Sequence, residues 1–293
     1  MNWWQDLKGK IELNAPLKAY TTFKIGGPVK FFIEPKDTAD LKLLLRLLKS
    51  YKITFLVIGR GSNILVSDKG LNAAVIRLSS SHFKKVRRKN GSFELGSGLA
   101  LKKAVIVAEK NNLSGMEFLV GIPGTVGGAL AMNAGVAKEN IGSLVKYVEV
   151  IDDKGNIKRL HHKDLRFGNR TSNLAKYIIL SACFRLRKQD KKKIKQKMRA
   201  YFNYRYKTQD LAWPSAGCVF KNPKKYSAGK LIDLCGLKGR MAGGARISFK
   251  HANFILNLGN AKAKDIFRLM SLIRREVKNK FNINLKPEIK IWQ

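Results

Sequence analysis

Apolar positions along the chain switch between a two-residue and a helical period, and the switches mark out the elements. Residues 29–34 (VKFFIE) read as a short strand that Pro35 ends. Asp37-Thr38 then open a helix over about 38–51, with Leu41, Leu44, Leu45 and Leu48 on one face. TFLVIG (54–59) has the make-up of a buried strand, GRGSN (59–63) turns, and ILV (64–66) returns to strand character. Strands are predicted again at 73–78 and 92–96, then a helix at about 99–111 with Leu101, Val105 and Ala108 in register. KYVEVID, a DKGN turn at 153–156 and IKRL predict a hairpin, and YIILSACFRLR (177–187) a strand that closes this half.

The composition changes at about 188. KQDKKKIKQKMR (188–199) predicts an amphipathic helix with a solvated basic face and Ile194, Met198 and Phe202 turned inward. A loop follows at WPSAGCVFKNP (213–223), then a short helix around 228–236, a strand at ANFILNL (252–258) and a long helix over about 262–280. In the last, Ile266, Leu269, Met270, Ile273 and Val277 form a stripe. The pattern is α+β without internal repeats, in two blocks, 1–187 and 188–293, with a subdivision of the first near 75–80.

Composition narrows the classes. A chain of 293 residues that is 45% hydrophobic and 27% charged can bury a real core, and seven prolines with no low-complexity stretch leave no room for a long linker. The net charge of +38, from 58 Lys+Arg against 20 Asp+Glu, has two readings. One is nucleic-acid binding through phosphate contacts and counterion release. The other is a Lys-heavy composition whose field attracts small anions. Cys183, Cys218 and Cys235 form no CxxC pair and no disulfide framework, which points to reduced thiols in a cytoplasmic protein. The first ten residues lack a basic head followed by an apolar run, so no signal peptide is expected. The most apolar helical stretch, 41–50, carries Lys42, Arg46 and Lys49 and is too short for a membrane span. The four histidines show no metal-ligand spacing, and no metal is assigned.

Three groups of residues could carry chemistry. In Gly59-Arg60-Gly61-Ser62-Asn63 the glycines let backbone amides converge, and Ser62 and Asn63 add donors, as a pyrophosphate needs. It is not the dinucleotide fingerprint, because Ile64 follows and the chain re-enters a strand; a tight turn with no ligand is the alternative. In the second group, residues 121–135 hold glycines at 121, 124, 127, 128 and 135. Glycine inside an element costs about 1 kcal/mol relative to Ala, so such density asks for a reason: close ligand approach, or a compact turn against a sheet. Arg170, Cys218 and Glu288 form the third group, each ordinary by itself.

Taken together, NAPLKAYTTFKIGG (14–27), GRGSNILVSDKG (59–70), GMEFLVGIPGTVGGALAMNAG (115–135), FGNRTS (167–172), PSAGCVFKNP (214–223) and AGKLIDLCGLKG through HANFILNLGNA (228–261) resemble one family closely: the UDP-N-acetylenolpyruvoylglucosamine reductases, or UDP-N-acetylmuramate dehydrogenases. The short C-terminal block looks like the subfamily lacking an extra substrate loop. The resemblance implies a vanillyl-alcohol-oxidase (PCMH)-type FAD-binding domain, followed by a smaller α+β substrate-binding domain. It implies FAD as cofactor and NADPH as reductant. It also implies reduction of UDP-N-acetylglucosamine enolpyruvate in peptidoglycan precursor synthesis. A monomer in the cytoplasm is expected, with no nucleic-acid or membrane partner.

The resemblance also assigns residues. FAD would be bound by Gly59, Arg60, Gly61, Ser62, Asn63, Ile122, Pro123, Gly124, Thr125, Gly127, Gly128, Asn133 and Ala134. Arg170 and Glu288 would stabilise an enolate, Cys218 would protonate it, and Lys221 and Asn222 would contact substrate. Two features depart from the family pattern. Cys218 stands where a serine is usual; an ordinary thiol, with a pKa of about 8.5, still donates a proton below that pH. Asn169 and Leu174 stand where aromatic residues are common. A flavin oxidase acting on an unrelated alcohol would not account for SAGCVFKNP or HANFILN, and the full excess of +38 has no functional explanation.

Overall fold

The computed structural model describes residues 3–89, 92–136 and 139–293. The chain divides into two units. One comprises Met1–Leu13, Phe31–Gly59 and Ala73–Asn203; the other comprises Asn14–Lys30, Arg60–Asn72 and Tyr204–Gln293. These differ from the sequential blocks 1–187 and 188–293, because 14–30 and 60–72 join the C-terminal third. Long-range contacts explain why: Lys290–Trp292 runs parallel to Ile64–Val66, with Ile291 opposite Leu65, and Asn257 Nδ2 donates to Phe23 O at 2.8 Å.

The first unit is organised by an antiparallel sheet in the order Ile157–His161, Val145–Ile151, Ile178–Phe184, Ser92–Gly96, Val86–Lys89. On one face Val148, Val150, Ala182 and Phe184 meet the helix Leu101–Lys110 and the short helix Val126–Ala131. Ile151, Ile178 and Leu180 belong to a second core with the helix Thr38–Ser50, whose predicted leucines 41, 44, 45 and 48 are all buried. The predicted hairpin closes as its residues dictate. Asp152 accepts from the amides of Lys154 and Asn156, and Gly155 takes φ 84°. The Asn156 amide foremost, and then Lys158, hold the Asp152 carboxyl down at about 2.

The basic helix spans Lys191–Thr208, and its inward face differs at one residue from the four-residue spacing. Ile194 is buried and Met198 packs on the core, but Phe202 is 47% exposed and Tyr201 packs inward instead. Seven residues nearly close two helical turns, whereas eight overshoot.

In the second unit the helix Ala263–Phe281 buries the whole predicted stripe. It packs with the helix Ala228–Leu234 and a three-stranded sheet of Met241–Ala242, Ala245–Ile247 and Ile255–Asn257. Of the predicted strand 252–258 only Ile255–Asn257 is strand, because Phe254 N–H turns back to the His251 carbonyl at 2.8 Å. Phe23, Ile25 and Leu65 complete this core.

Candidate active site

In the first unit, the glycine-rich segment lies against the loop before Leu101. Val126 N–H reaches Leu99 O at 2.9 Å, and Gly127 N–H reaches Ser97 O at 2.8 Å. Thr125 caps the short helix, accepting from Gly128 N–H at 3.2 Å. Much of the glycine density serves chain-to-chain approach. A Cβ at Gly59 would lie 2.7 Å from Thr125 Oγ1, and one at Gly127 would lie 2.9 Å from Ser97 Cβ. Gly128 differs: it is exposed, and a Cβ there would touch only Thr125 Oγ1, at 3.4 Å. Gly121 and Pro123 are exposed as well, and Ile122, Gly124 and Ala134 half-buried. Ser97 Oγ is buried against this segment without a hydrogen-bond partner. An open glycine edge above an unsatisfied hydroxyl fits a flat, polar cofactor laid along it.

Arg170 ends a two-residue turn between Phe167–Gly168 and Thr171–Ser172, which pair Phe167 with Ser172 and Gly168 with Thr171. Its φ is 55°, in the left-handed region that costs a side-chain-bearing residue about 1–2 kcal/mol. Its Nη1 donates to Gly135 O at 3.2 Å. Ser172 Oγ donates to Ala131 O at 3.1 Å, so the turn is tied to the end of the glycine-rich segment on both sides. Asn133, expected at the cofactor, is 9% exposed and gives its amide to protein: Nδ2 donates to Gly168 O at 3.0 Å, and Oδ1 accepts from Gly142 N–H at 3.1 Å. Beyond it, Val136 pairs with Glu139, whose carboxylate accepts from Tyr201 Oη of the basic helix. That bond, with burial, lifts the Tyr201 hydroxyl to about 12.

In the second unit, Arg60 is exposed and Ser62 half-buried. Gly61 takes φ 63°, and a Cβ there would collide with the Tyr20 carbonyl. Thr22 N–H donates to Gly61 O at 3.2 Å, while Thr22 Oγ1 donates to Ser215 O at 2.7 Å, linking this loop to the one that carries Cys218. Cys218 and Glu288, 70 positions apart in sequence, lie in neighbouring extended segments. Glu288 N–H donates to Val219 O at 2.8 Å, Phe220 bridges Pro287, and Lys221 N–H reaches Lys286 O at 2.9 Å. Asn63 joins them: its Nδ2 donates to Glu288 O at 3.2 Å, and its carbonyl accepts from Lys290 N–H at 2.9 Å. Cys218 and Glu288 are both half-buried. Lys221 is half-buried, and the exposed Asn222 accepts from Ala228 N–H through Oδ1 at 2.9 Å, at the start of the helix that follows.

Asn253 was not singled out from sequence. It is 2% exposed and clamps Phe220, two residues beyond Cys218. An asparagine in the apolar run ANFIL was the available signal, since a buried amide needs partners. Among the described residues, no group of His, Cys, Asp and Glu could hold a metal ion, and no helix is long and apolar enough to cross a membrane.

Residues 29–161 match a family described as an FAD binding domain, and residues 209–292 match the C-terminal domain of UDP-N-acetylenolpyruvoylglucosamine reductase. UDP-N-acetylenolpyruvoylglucosamine reductase 1 of Bacillus cereus is 41% identical over 288 residues, covering 97% of this chain and 95% of the relative. The reductase of Caldanaerobacter subterraneus is 41% identical over 286 residues, with 97% and 94% covered. The crystal structure of UDP-N-acetylenolpyruvylglucosamine reductase from Thermus caldophilus superposes with a TM-score of 0.84 at 36% identity, over 98% of this chain and 100% of that one.

Proposed function

The chain belongs to the UDP-N-acetylenolpyruvoylglucosamine reductase family, and from that membership we propose how its own residues carry the reaction. It is an FAD-dependent oxidoreductase of peptidoglycan precursor synthesis, acting on the enolpyruvyl ether of UDP-N-acetylglucosamine to form UDP-N-acetylmuramate. FAD, when bound, supplies the two-electron chemistry, with NADPH as the electron source and the vinyl CH₂ carbon of the substrate as the hydride acceptor.

The remaining work belongs to side chains. Hydride on the CH₂ carbon leaves negative charge on the adjacent carbon and its carboxylate. Arg170 binds that carboxylate and stabilises the charge as it builds; a fixed guanidinium in a dry site is worth several kcal/mol. Cys218 gives its thiol proton to the adjacent carbon, which saturates the former double bond. Glu288 assists Arg170 in stabilising the enolate, and Lys221 and Asn222 contact the nucleotide sugar. Gly121, Pro123 and Gly128 provide the open edge for the cofactor, and Arg60 a cation for its pyrophosphate. The protein works as a cytoplasmic monomer on soluble nucleotides.

One observation carries the assignment of the proton donor: the register that sets Val219 against Glu288 puts the thiol and the carboxyl on neighbouring segments. The test is NADPH oxidation by the purified flavoprotein with and without the enolpyruvyl nucleotide. Oxidation that depends on the nucleotide supports the reading; equal oxidation without it, or none with it, refutes it.

A further inference from the structure

We propose that Asn133 is a positioning residue for Arg170, holding the turn that aims the guanidinium, and not a ligand of the flavin. The proposal rests on Arg170 acting on the substrate carboxylate. Asn133 has two amide donors and one carbonyl acceptor. One donor holds Gly168 O at 3.0 Å, and the carbonyl accepts from Gly142 N–H at 3.1 Å. Its backbone sits at φ 43°, and its buried side chain reaches the 167–172 hairpin at Gly168. The packing leaves little play: a Cβ on Gly142 would lie 2.8 Å from Asn133 Oδ1 and 2.5 Å from the Phe167 ring.

Arg170 needs such a support. Its left-handed backbone, φ 55°, is a conformation that persists only where surroundings impose it. Three bonds impose it from one stretch of chain: Asn133 on Gly168, Ala131 O on Ser172, and Gly135 O on the guanidinium itself. Two of these receive their proton from the hairpin; Asn133 alone reaches across with a side chain. Removing it frees the strand preceding the turn and lets the guanidinium swing.

Asn133→Gly tests this, because glycine accepts the left-handed backbone and removes both side-chain bonds. Asn133→Asp keeps the acceptor for Gly142 and replaces the donor to Gly168. Three measurements apply to each: FAD affinity, the two flavin half-reactions, and hydrogen exchange of the 167–174 peptide in the apoprotein. The expected result for Asn133→Gly is FAD affinity and NADPH-driven flavin reduction within about twofold of the parent. Reoxidation by the enolpyruvyl nucleotide slows about ten- to a hundredfold, and exchange at 167–174 rises. Placed on Arg170→Ala, the substitution adds less than about twofold, as expected of residues acting as one unit.

A tenfold or larger loss of FAD affinity with unchanged exchange overturns the proposal in favour of a cofactor contact. Equal slowing of both half-reactions, or full additivity with Arg170→Ala, overturns it in favour of a general structural role. If Asn133→Gly does not fold, Asn133→Asp decides by the same criteria. If Arg170→Ala alone reoxidises at the parent rate, the reading of Arg170 fails, while the exchange result still reports whether Asn133 holds the turn.

Discussion

Asn253 holds Phe220 by both of its backbone groups: Oδ1 accepts from the Phe220 amide at 2.9 Å, and Nδ2 donates to the Phe220 carbonyl at 2.8 Å. Val219 N–H in turn reaches the Asn253 carbonyl at 2.8 Å. The segment carrying Cys218 is therefore fastened on one side by Asn253 and on the other by the extended segment of Glu288. Asn253→Ala would strand two buried backbone groups, so it should cost about 2 to 5 kcal/mol in urea unfolding. In protein that still folds, substrate-driven flavin reoxidation should fall more than NADPH-driven reduction. An unchanged unfolding midpoint would show that the clamp does nothing for the fold.

If Cys218 is the proton donor, Cys218→Ser should retain turnover and Cys218→Ala should slow flavin reoxidation by about a hundredfold or more. The parent protein should lose the second half-reaction as pH rises and the thiol deprotonates. Cys218→Ser should lack that alkaline limb, because an alcohol does not ionise in the same range. Stopped-flow reoxidation across pH reads both. A Cys218-alkylated protein with normal turnover would remove the residue from the mechanism.

Gly127 and Gly128, neighbours in the glycine-rich segment, separate packing from binding. Gly127→Ala pushes a methyl to 2.9 Å from Ser97 Cβ and should lower the stability of the apoprotein. Gly128→Ala meets only Thr125 Oγ1 at 3.4 Å and should leave apoprotein stability within about 0.5 kcal/mol. If flavin lies along this edge, Gly128→Ala nonetheless weakens FAD, by about tenfold or more in a fluorescence titration. Unchanged FAD affinity would move the flavin elsewhere.

Acid should destabilise the fold through two histidines. Burial, the largest cause in each case, pushes His251 and His82 below their ordinary 6.5. Just below pH 6.5 the unfolded chain therefore binds protons that the folded protein does not. Their contribution is whole above pH 6.5 and is lost as pH falls from there through the lowered folded values. His251 has a further reason to stay neutral, because its Nδ1 accepts from Asn253 N–H at 3.3 Å. Urea midpoints should drop between pH 7.5 and 5.5, and His251→Gln should remove part of that drop. A slope identical to the parent's would contradict the assignment.

The helices were legible where one face meets one core. The stripe of Ile266, Leu269, Met270, Ile273 and Val277 is buried as its spacing requires. Phe202 was not legible, because over eight residues the true helical period and a simple four-residue step point to different faces. The neighbourhood of Cys218 and Glu288 was unreadable from spacing, since it depends on Lys290–Trp292 pairing with Ile64–Val66 across more than two hundred residues. Glycine density has a reason besides a cofactor: a Cβ at Gly59, Gly61 or Gly127 would meet other parts of the chain itself. Asn133 shows the same ambiguity, for an amide that binds a ligand and one that binds a backbone look alike in sequence.

The most direct test of the whole account is anaerobic and stepwise. The purified protein should show flavin absorbance that bleaches on adding NADPH, and the bleached protein should recover its colour when the enolpyruvyl ether of UDP-N-acetylglucosamine is mixed in, yielding UDP-N-acetylmuramate. Arg170→Ala should bleach normally and recover slowly. A parent protein that bleaches but stays bleached with that nucleotide, or that binds no flavin at all, would contradict it.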